Sequence, residues 1–89
     1  MRQVPWNKTV LEKFIEYGLL NELEEQVIRT RVAKSWTRTK QCRELNLSMS
    51  SLDRIIRRLK DRYDEVQSQY PDELPQRRHS DYEDYLDSN

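Results

Sequence analysis

Cysteine, glycine and proline are scarce in this chain, with one, one and three residues among 89. A single cysteine, Cys42, cannot form an internal disulfide, which excludes a disulfide-stapled secreted scaffold. We expect Cys42 to be a small buried hydrophobe, not a nucleophile. No apolar run reaches membrane-spanning length, and no signal-peptide pattern is recognisable. The sequence therefore predicts a protein of the reducing cytoplasm with no membrane partner.

Residue patterns typical of catalysis are also missing. The sequence has no glycine-rich phosphate loop, no Cys and His set at metal-ligand spacing, and no Ser or Cys with an accompanying base. His79, the one histidine, has no partner at ligand spacing. We therefore predict no enzyme activity, no metal site and no cofactor.

The composition favours a small all-α protein. Apolar residues make up 35% of the chain and charged residues 36%, so a few amphipathic helices must supply a thin core. A chain of this length accommodates one such domain. We predict a four-helix domain containing a helix-turn-helix over residues 1–70. Residues 71–89, with two prolines and many acids, are predicted to be a disordered acidic tail.

The first two helices are predicted from their capping residues and apolar spacing. Asn7 is placed to cap a helix that runs to Tyr17, with Gly18 as its left-handed terminator. Asn21 and Glu24 have the spacing of a capping box at the start of the second helix. The two inner faces are predicted to consist of Val10, Leu11, Phe14, Ile15, Leu23, Val27, Ile28 and Val32.

The third and fourth helices are predicted to form the helix-turn-helix. Thr37 is placed to cap the third helix, which would run to about Leu45. Asn46 tolerates a left-handed backbone, and Ser48 can cap the fourth helix. Pro71 ends that helix because proline lacks the amide that the next turn needs.

The fourth helix carries two opposite faces. Its apolar stripe is formed by Leu52, Ile55, Ile56, Leu59 and Tyr63. The opposite side carries Ser50, Ser51, Arg54, Arg57 and Arg58. Small polar groups on the first turn let a helix enter a DNA major groove, and arginines further along can reach base edges and phosphates.

The net charge of zero conceals a division along the chain. Residues 29–62 contain 11 Lys and Arg against 3 Asp and Glu, whereas residues 71–89 contain 2 against 6. A local basic surplus is what a polyanionic partner requires. A solvated helical surface without any partner is the alternative.

This pattern resembles the region-four DNA-binding domain of bacterial sigma factors and the short bacterial and phage regulators with the same helix-turn-helix. The resemblance covers about residues 19–63. Its matching parts are residues 23–31 as the preceding helix, Ser35, Trp36 and Thr37 as the turn, and Cys42, Asn46, Leu47, Ser48, Leu52 and Ile55 as the motif. The family commonly has glycine where Asn46 stands, and often where Ser35 stands.

The resemblance implies which side chains would contact DNA. Base contacts are expected from Ser50, Ser51 and Arg54 on the fourth helix. Phosphate contacts are expected from Arg38, Lys40, Arg57 and Arg58. The chain has no room for the further domains of a complete sigma factor, so the expectation is a small regulator of bacterial, phage or mobile-element origin.

Three functions remain open on the sequence. The first is sequence-specific binding of double-stranded DNA in transcription regulation, with a homodimer as the favoured assembly. The second is a protein-interaction module that docks on RNA polymerase or another regulator. The third is the small terminase-like subunit of a phage DNA-packaging motor. The acidic tail could cover this domain's own arginines, bind a partner's basic groove, or serve only as a solubilising end.

Overall fold

Residues 4–77 of the computed structural model form a bundle of α-helices without strands. These are the residues that the structure describes. The helices are α1 (Lys8–Gly18), α2 (Glu22–Val32), α3 (Arg38–Leu45) and α4 (Met49–Gln69). No helix within 4–77 combines the length and apolarity needed to cross a membrane. The all-α, four-helix prediction is confirmed.

Each helix begins at the capping residue expected from the sequence. Asn21 and Glu24 form the complete capping box at the start of α2, each side chain bonding the other's backbone N–H. The cap oxygens of Asn7, Thr37 and Ser48 accept backbone N–H groups of Val10, Lys40 and Ser51 at 2.9, 3.1 and 3.1 Å. These side chains satisfy amides that a helix start leaves without partners.

The core is built mainly from α1, α2 and α4. The apolar stripes predicted for these helices supply most of it, and Trp6 adds an aromatic contact, with its ring 5.9 Å from Phe14 and 5.6 Å from Tyr63 between centroids. The buried apolar side chains are Val4, Val10, Leu11, Phe14, Val27, Ile28, Leu52, Ile55, Ile56, Leu59, Tyr63, Val66 and Leu74. One continuous core thus holds α4 along its length.

Gly18 does not take the left-handed conformation predicted for it. It is the last helical residue of α1, and Leu19 adopts the positive φ of 50° instead. A Cβ on Gly18 would lie 3.3 to 3.5 Å from side-chain atoms of Leu20, Phe14 and Arg62. The glycine therefore serves close packing, and its carbonyl accepts a hydrogen bond from Arg62 Nη1 at 2.9 Å.

Residues 71–77, here called the return segment, pack against the helices instead of opening the tail at Pro71. Leu74 is only 2% exposed. The Tyr63 hydroxyl donates to the Pro75 carbonyl, and the Arg77 guanidinium forms a two-pronged ion pair with Asp64. The packed unit thus extends beyond the predicted boundary at residue 70, because one aliphatic and one arginine find partners on the bundle. Residues 78–89, the rest of the predicted tail, lie outside the described part of the chain.

Candidate nucleic-acid interface

The turn between α3 and α4 has the backbone expected from the sequence. Asn46 is left-handed, with φ 56° and ψ 50°, and asparagine is among the residues that tolerate this conformation. The N–H groups of Asn46 and Leu47 both donate to the Cys42 carbonyl, which closes the end of α3. Leu47 packs against the core, so the turn sets a fixed direction for α4.

The corner between α2 and α3 uses a serine where a glycine would be unstrained. Ser35 has a φ of 54°, and the next residue, Trp36, donates its N–H to the Thr30 carbonyl at 3.0 Å. This backbone bond closes the corner before Thr37 caps α3. Ser35 thus takes the left-handed conformation without being glycine.

Gln41 is a buried polar residue that the sequence reading missed. It is fully buried, and its Nε2 donates to the Val27 carbonyl at 2.9 Å and to Thr30 Oγ1 at 3.1 Å. These bonds fix α3 on α2. A glutamine on a helix usually faces solvent, so this burial was hard to predict from the sequence. The one available signal was that Gln41 lies four residues before Leu45 and therefore on the same side of α3.

Cys42, expected to be a buried hydrophobe, is only half-buried, and so is Trp36. Cys42 packs against the core edge, with its sulfur 3.8 Å from that of Met49. Trp36 lies under two ammonium groups, Lys40 at 4.9 Å and Lys34 at 5.4 Å from a ring centroid. The aromatic ring therefore contributes to a basic surface beside α3.

The outer face of the first half of α4 is exposed and basic. Ser50, Arg54 and Arg57 are exposed, and neither of these arginines has an ion-pair partner among residues 4–77. Arg58 is 63% exposed, with its Nε 4.0 Å from Glu24 Oε2, a separation that gives a weak pair. Among residues 4–77, no acid holds these three arginines in a closed interface.

Helical geometry aligns three of these side chains opposite the core. At about 100° per residue, Ser50, Arg54 and Arg57 fall within an arc of about 60°. They are spaced along roughly 10 Å of the helix axis. Arg58 and Ser51 lie beside this line, and Asp61 ends it with an exposed carboxylate. We call Ser50, Ser51, Arg54, Arg57 and Arg58 the basic face.

Ser51 participates in the cap of α4. Its hydroxyl accepts a hydrogen bond from Ser48 Oγ at 2.9 Å, while its backbone N–H donates to the same oxygen. The side chain is half-buried. Of the two serines predicted for base contacts, Ser50 is therefore the more accessible.

Arg38 and Lys40, the phosphate ligands implied for α3, have different surroundings. Arg38 forms an ion pair with Asp53 of α4, and its side chain is 22% exposed. Its Nε is buried, with no hydrogen-bond partner among the described residues. Lys40 lies over Trp36 at the surface. Arg38 therefore links α3 to α4, whereas Lys40 faces outward.

Comparisons with protein-family models, curated proteins and solved structures find no match for this chain. The geometry of α3, its turn and α4 is therefore the basis from which we infer a function. Within residues 4–77 no group of three His, Cys, Asp or Glu side chains is placed to hold a metal ion.

Proposed function

We propose that this chain binds double-stranded DNA in a sequence-dependent way, with the first half of α4 in the major groove. One observation carries the proposal: Arg54 and Arg57 are exposed, without ion-pair partners among residues 4–77, on the side of α4 opposite its buried stripe. A cationic side chain that forms no ion pair within the protein is available to bind a polyanion. The left-handed turn at Asn46, closed by two hydrogen bonds to the Cys42 carbonyl, supports this because it joins α3 and α4 in the order of a helix-turn-helix.

The basic face divides into base-reading and backbone-binding side chains. Ser50 is short and exposed on the first turn, where a helix approaches base edges most closely. Arg54, one turn later, has the length and planar donor pair to bind guanine O6 and N7. Arg57 and Arg58 lie further along, where phosphates flank the groove. Ser51 would contact bases only through the part of its hydroxyl left free by the cap.

Lys40 and Arg38 have separate roles in the proposal. Lys40, with Trp36 beneath it, extends the basic surface from α4 to the start of α3 and would contact a phosphate. Arg38 would act mainly by holding α3 against Asp53, which fixes the angle between the two helices. Its direct phosphate contact, expected from the resemblance, would require sharing the guanidinium with that carboxylate.

One helix-turn-helix reads only a few base pairs, so we propose that tight binding uses two copies on a two-fold symmetric site. In this proposal the protein regulates transcription in the cytoplasm of a bacterial cell, from a bacterial, phage or mobile-element gene. Sedimentation with and without a palindromic duplex tests the dimer. A monomer in both conditions would remove the two-fold assembly but leave the DNA contact intact.

The function is tested by fluorescence anisotropy with a labelled mixed-sequence duplex between 50 and 200 mM salt. If about five basic groups contact phosphates, log affinity should fall against log salt with a slope of roughly −4 to −5. Arg29→Gln serves as the control, since Arg29 is engaged by Glu12 and Glu25 at 2.6 and 3.0 Å. No binding at 50 mM salt, or binding that salt does not weaken, would overturn the proposal and favour a protein partner.

A further inference from the structure

The return segment brings the chain back along α4 toward its N-terminal half. Leu74 N–H donates to the Tyr70 carbonyl at 3.2 Å, the Pro75 carbonyl lies on the Tyr63 hydroxyl, and Arg77 reaches Asp64. Successive contacts therefore move from residue 70 to residues 63 and 64, about 10 Å along the helix axis. The chain after Gln69 reverses its direction instead of continuing away from the bundle.

Arg77 is anchored on the same side of α4 as the basic face. Its Nε and Nη2 atoms lie 3.1 and 2.8 Å from Asp64 Oδ1 and Oδ2, respectively. Asp64 is seven residues beyond Arg57, so the two differ by roughly 20° around the helix and by about 10 Å along it. Arg54 is about 15 Å from Asp64 along the same axis. Arg77, the last described residue, is thus held on the side of α4 that carries Arg57, about 10 Å further along the helix.

The twelve residues after Arg77 have the length and charge to cover that face. Extended chain spans up to about 3.3 to 3.6 Å per residue, so twelve residues span up to roughly 40 Å. Residues 78–89 contain four acids, Asp81, Glu83, Asp84 and Asp87, against one arginine. They also contain Tyr82 and Tyr85, whose rings can pack on guanidinium planes.

We propose that residues 78–89 occupy the basic face of α4 in the free protein and must leave it when DNA binds. The effect on DNA binding rests on the proposed function, whereas the contact between residues 78–89 and the basic face does not. Carboxylates of the segment take the positions of phosphates beside Arg54, Arg57 and Arg58. Each exposed ion pair contributes only a small free energy. The segment would therefore compete with weak, non-specific DNA binding more effectively than with tight binding.

The contact is tested without DNA by paramagnetic relaxation in the full chain. A nitroxide is attached to Ser88→Cys in a Cys42→Ser background, and amide relaxation is compared between residues 50–58 and the exposed side of α1 at Glu12 and Glu16. We expect stronger relaxation at residues 50–58 at low salt, lost near 1 M salt, where charges are screened beyond about 3 Å. Equal enhancement at both surfaces would overturn the proposal.

A matched variant isolates the charge of the segment. Asp81→Asn, Glu83→Gln, Asp84→Asn and Asp87→Asn together keep its length and tyrosines but remove its acids. This variant should lose the relaxation at residues 50–58 and bind duplex DNA about three- to tenfold more tightly at low salt, as expected for a few exposed ion pairs. Unchanged relaxation in the variant would refute an acid-driven contact.

The two proposals fail in different ways. If the original segment relaxes the basic face but neither form binds DNA, the contact stands and the DNA-binding function falls. If both forms bind DNA with equal affinity and the face shows no relaxation, the function stands and the occupation of the face by residues 78–89 is wrong.

Discussion

The two halves of α4 share one buried apolar stripe, but they differ in whether residues 4–77 supply partners for their polar side chains. In the second half, Arg62 donates to the Gly18 carbonyl and Asp64 pairs with Arg77, while the hydroxyl of the buried Tyr63 donates to the Pro75 carbonyl. In the first half Arg54 and Arg57 have no such partner among residues 4–77. The core thus holds both halves of the helix, but only the first half presents Arg54 and Arg57 without ion-pair partners among residues 4–77. The difference predicts that stability and DNA affinity can be altered separately.

The largest effect is expected where the return segment covers the second half. Leu74→Ala should lower the free energy of unfolding by about 2–4 kcal/mol, because it removes a side chain that is 2% exposed. Leu19→Ala is the matched control, since Leu19 is 84% exposed, and should change stability by no more than about 0.5 kcal/mol. Urea unfolding measures both. Equal effects would mean that residues 71–77 do not belong to the packed unit.

The second-largest effect concerns the first half of α4 and is expected to change DNA affinity without changing stability. Arg54→Ala should weaken binding to the preferred duplex by about 1–3 kcal/mol and relax the preference at one base pair, if the side chain binds guanine. Its stability should be unchanged because the side chain is exposed. Arg62→Ala provides the opposite case and should cost stability while leaving affinity unchanged. An equal loss on every sequence would assign Arg54 to the DNA backbone.

Tyr63 gives the second half a specific sensitivity to alkaline pH. Burial, with a smaller contribution from Asp64, raises the pKa of Tyr63 to about 12, above the usual value of about 10. The resulting stabilisation is present below pH 10 and is lost as pH rises toward 12. Tyr63→Phe should cost about 0.5–1.5 kcal/mol at pH 7 by losing the bond to Pro75, and this difference should shrink above pH 10. Denaturation at pH 7 and pH 11 checks it. A difference that stays constant between pH 7 and pH 11 would contradict the assignment.

The smallest effect distinguishes a phosphate contact from a base contact within the basic face. Arg57→Gln should weaken binding nearly equally on all duplexes and reduce the magnitude of the salt slope by about 1. Anisotropy titrations at four salt concentrations resolve that change. If the slope stays the same, Arg57 does not displace a counterion and the backbone-binding role belongs to its neighbours.

Local chemistry made most of the fold predictable from the sequence. The caps at Asn7, Asn21, Thr37 and Ser48 and the left-handed Asn46 depend on side chains within a few residues, and all five are confirmed. The apolar stripe of α4 is confirmed for the same reason, since its spacing alone decides which side is buried. The exposed arginines then follow as the opposite side of the same helix.

Features that depend on distant contacts were not predictable in this way. Gly18 looked like a helix terminator, but the approach of Arg62 from α4 decides its role. Gln41 is buried because Val27 and Thr30 offer partners across the interface between helices. Similarly, the pairing of Arg38 with Asp53 joins residues fifteen apart. Composition also placed Leu74 in a tail, since a single aliphatic among prolines and acids gives no periodic signal.

The most direct test of the central claim is a residue-resolved NMR titration of the isotopically labelled protein with a mixed duplex at low salt. The account predicts that amides of residues 48–58 and the side-chain Nε–H signals of Arg54 and Arg57 shift first, while Arg29 and the outer side of α1 stay unchanged. Shifts centred on α1 and α2, or none at millimolar duplex, would contradict a basic face that binds DNA.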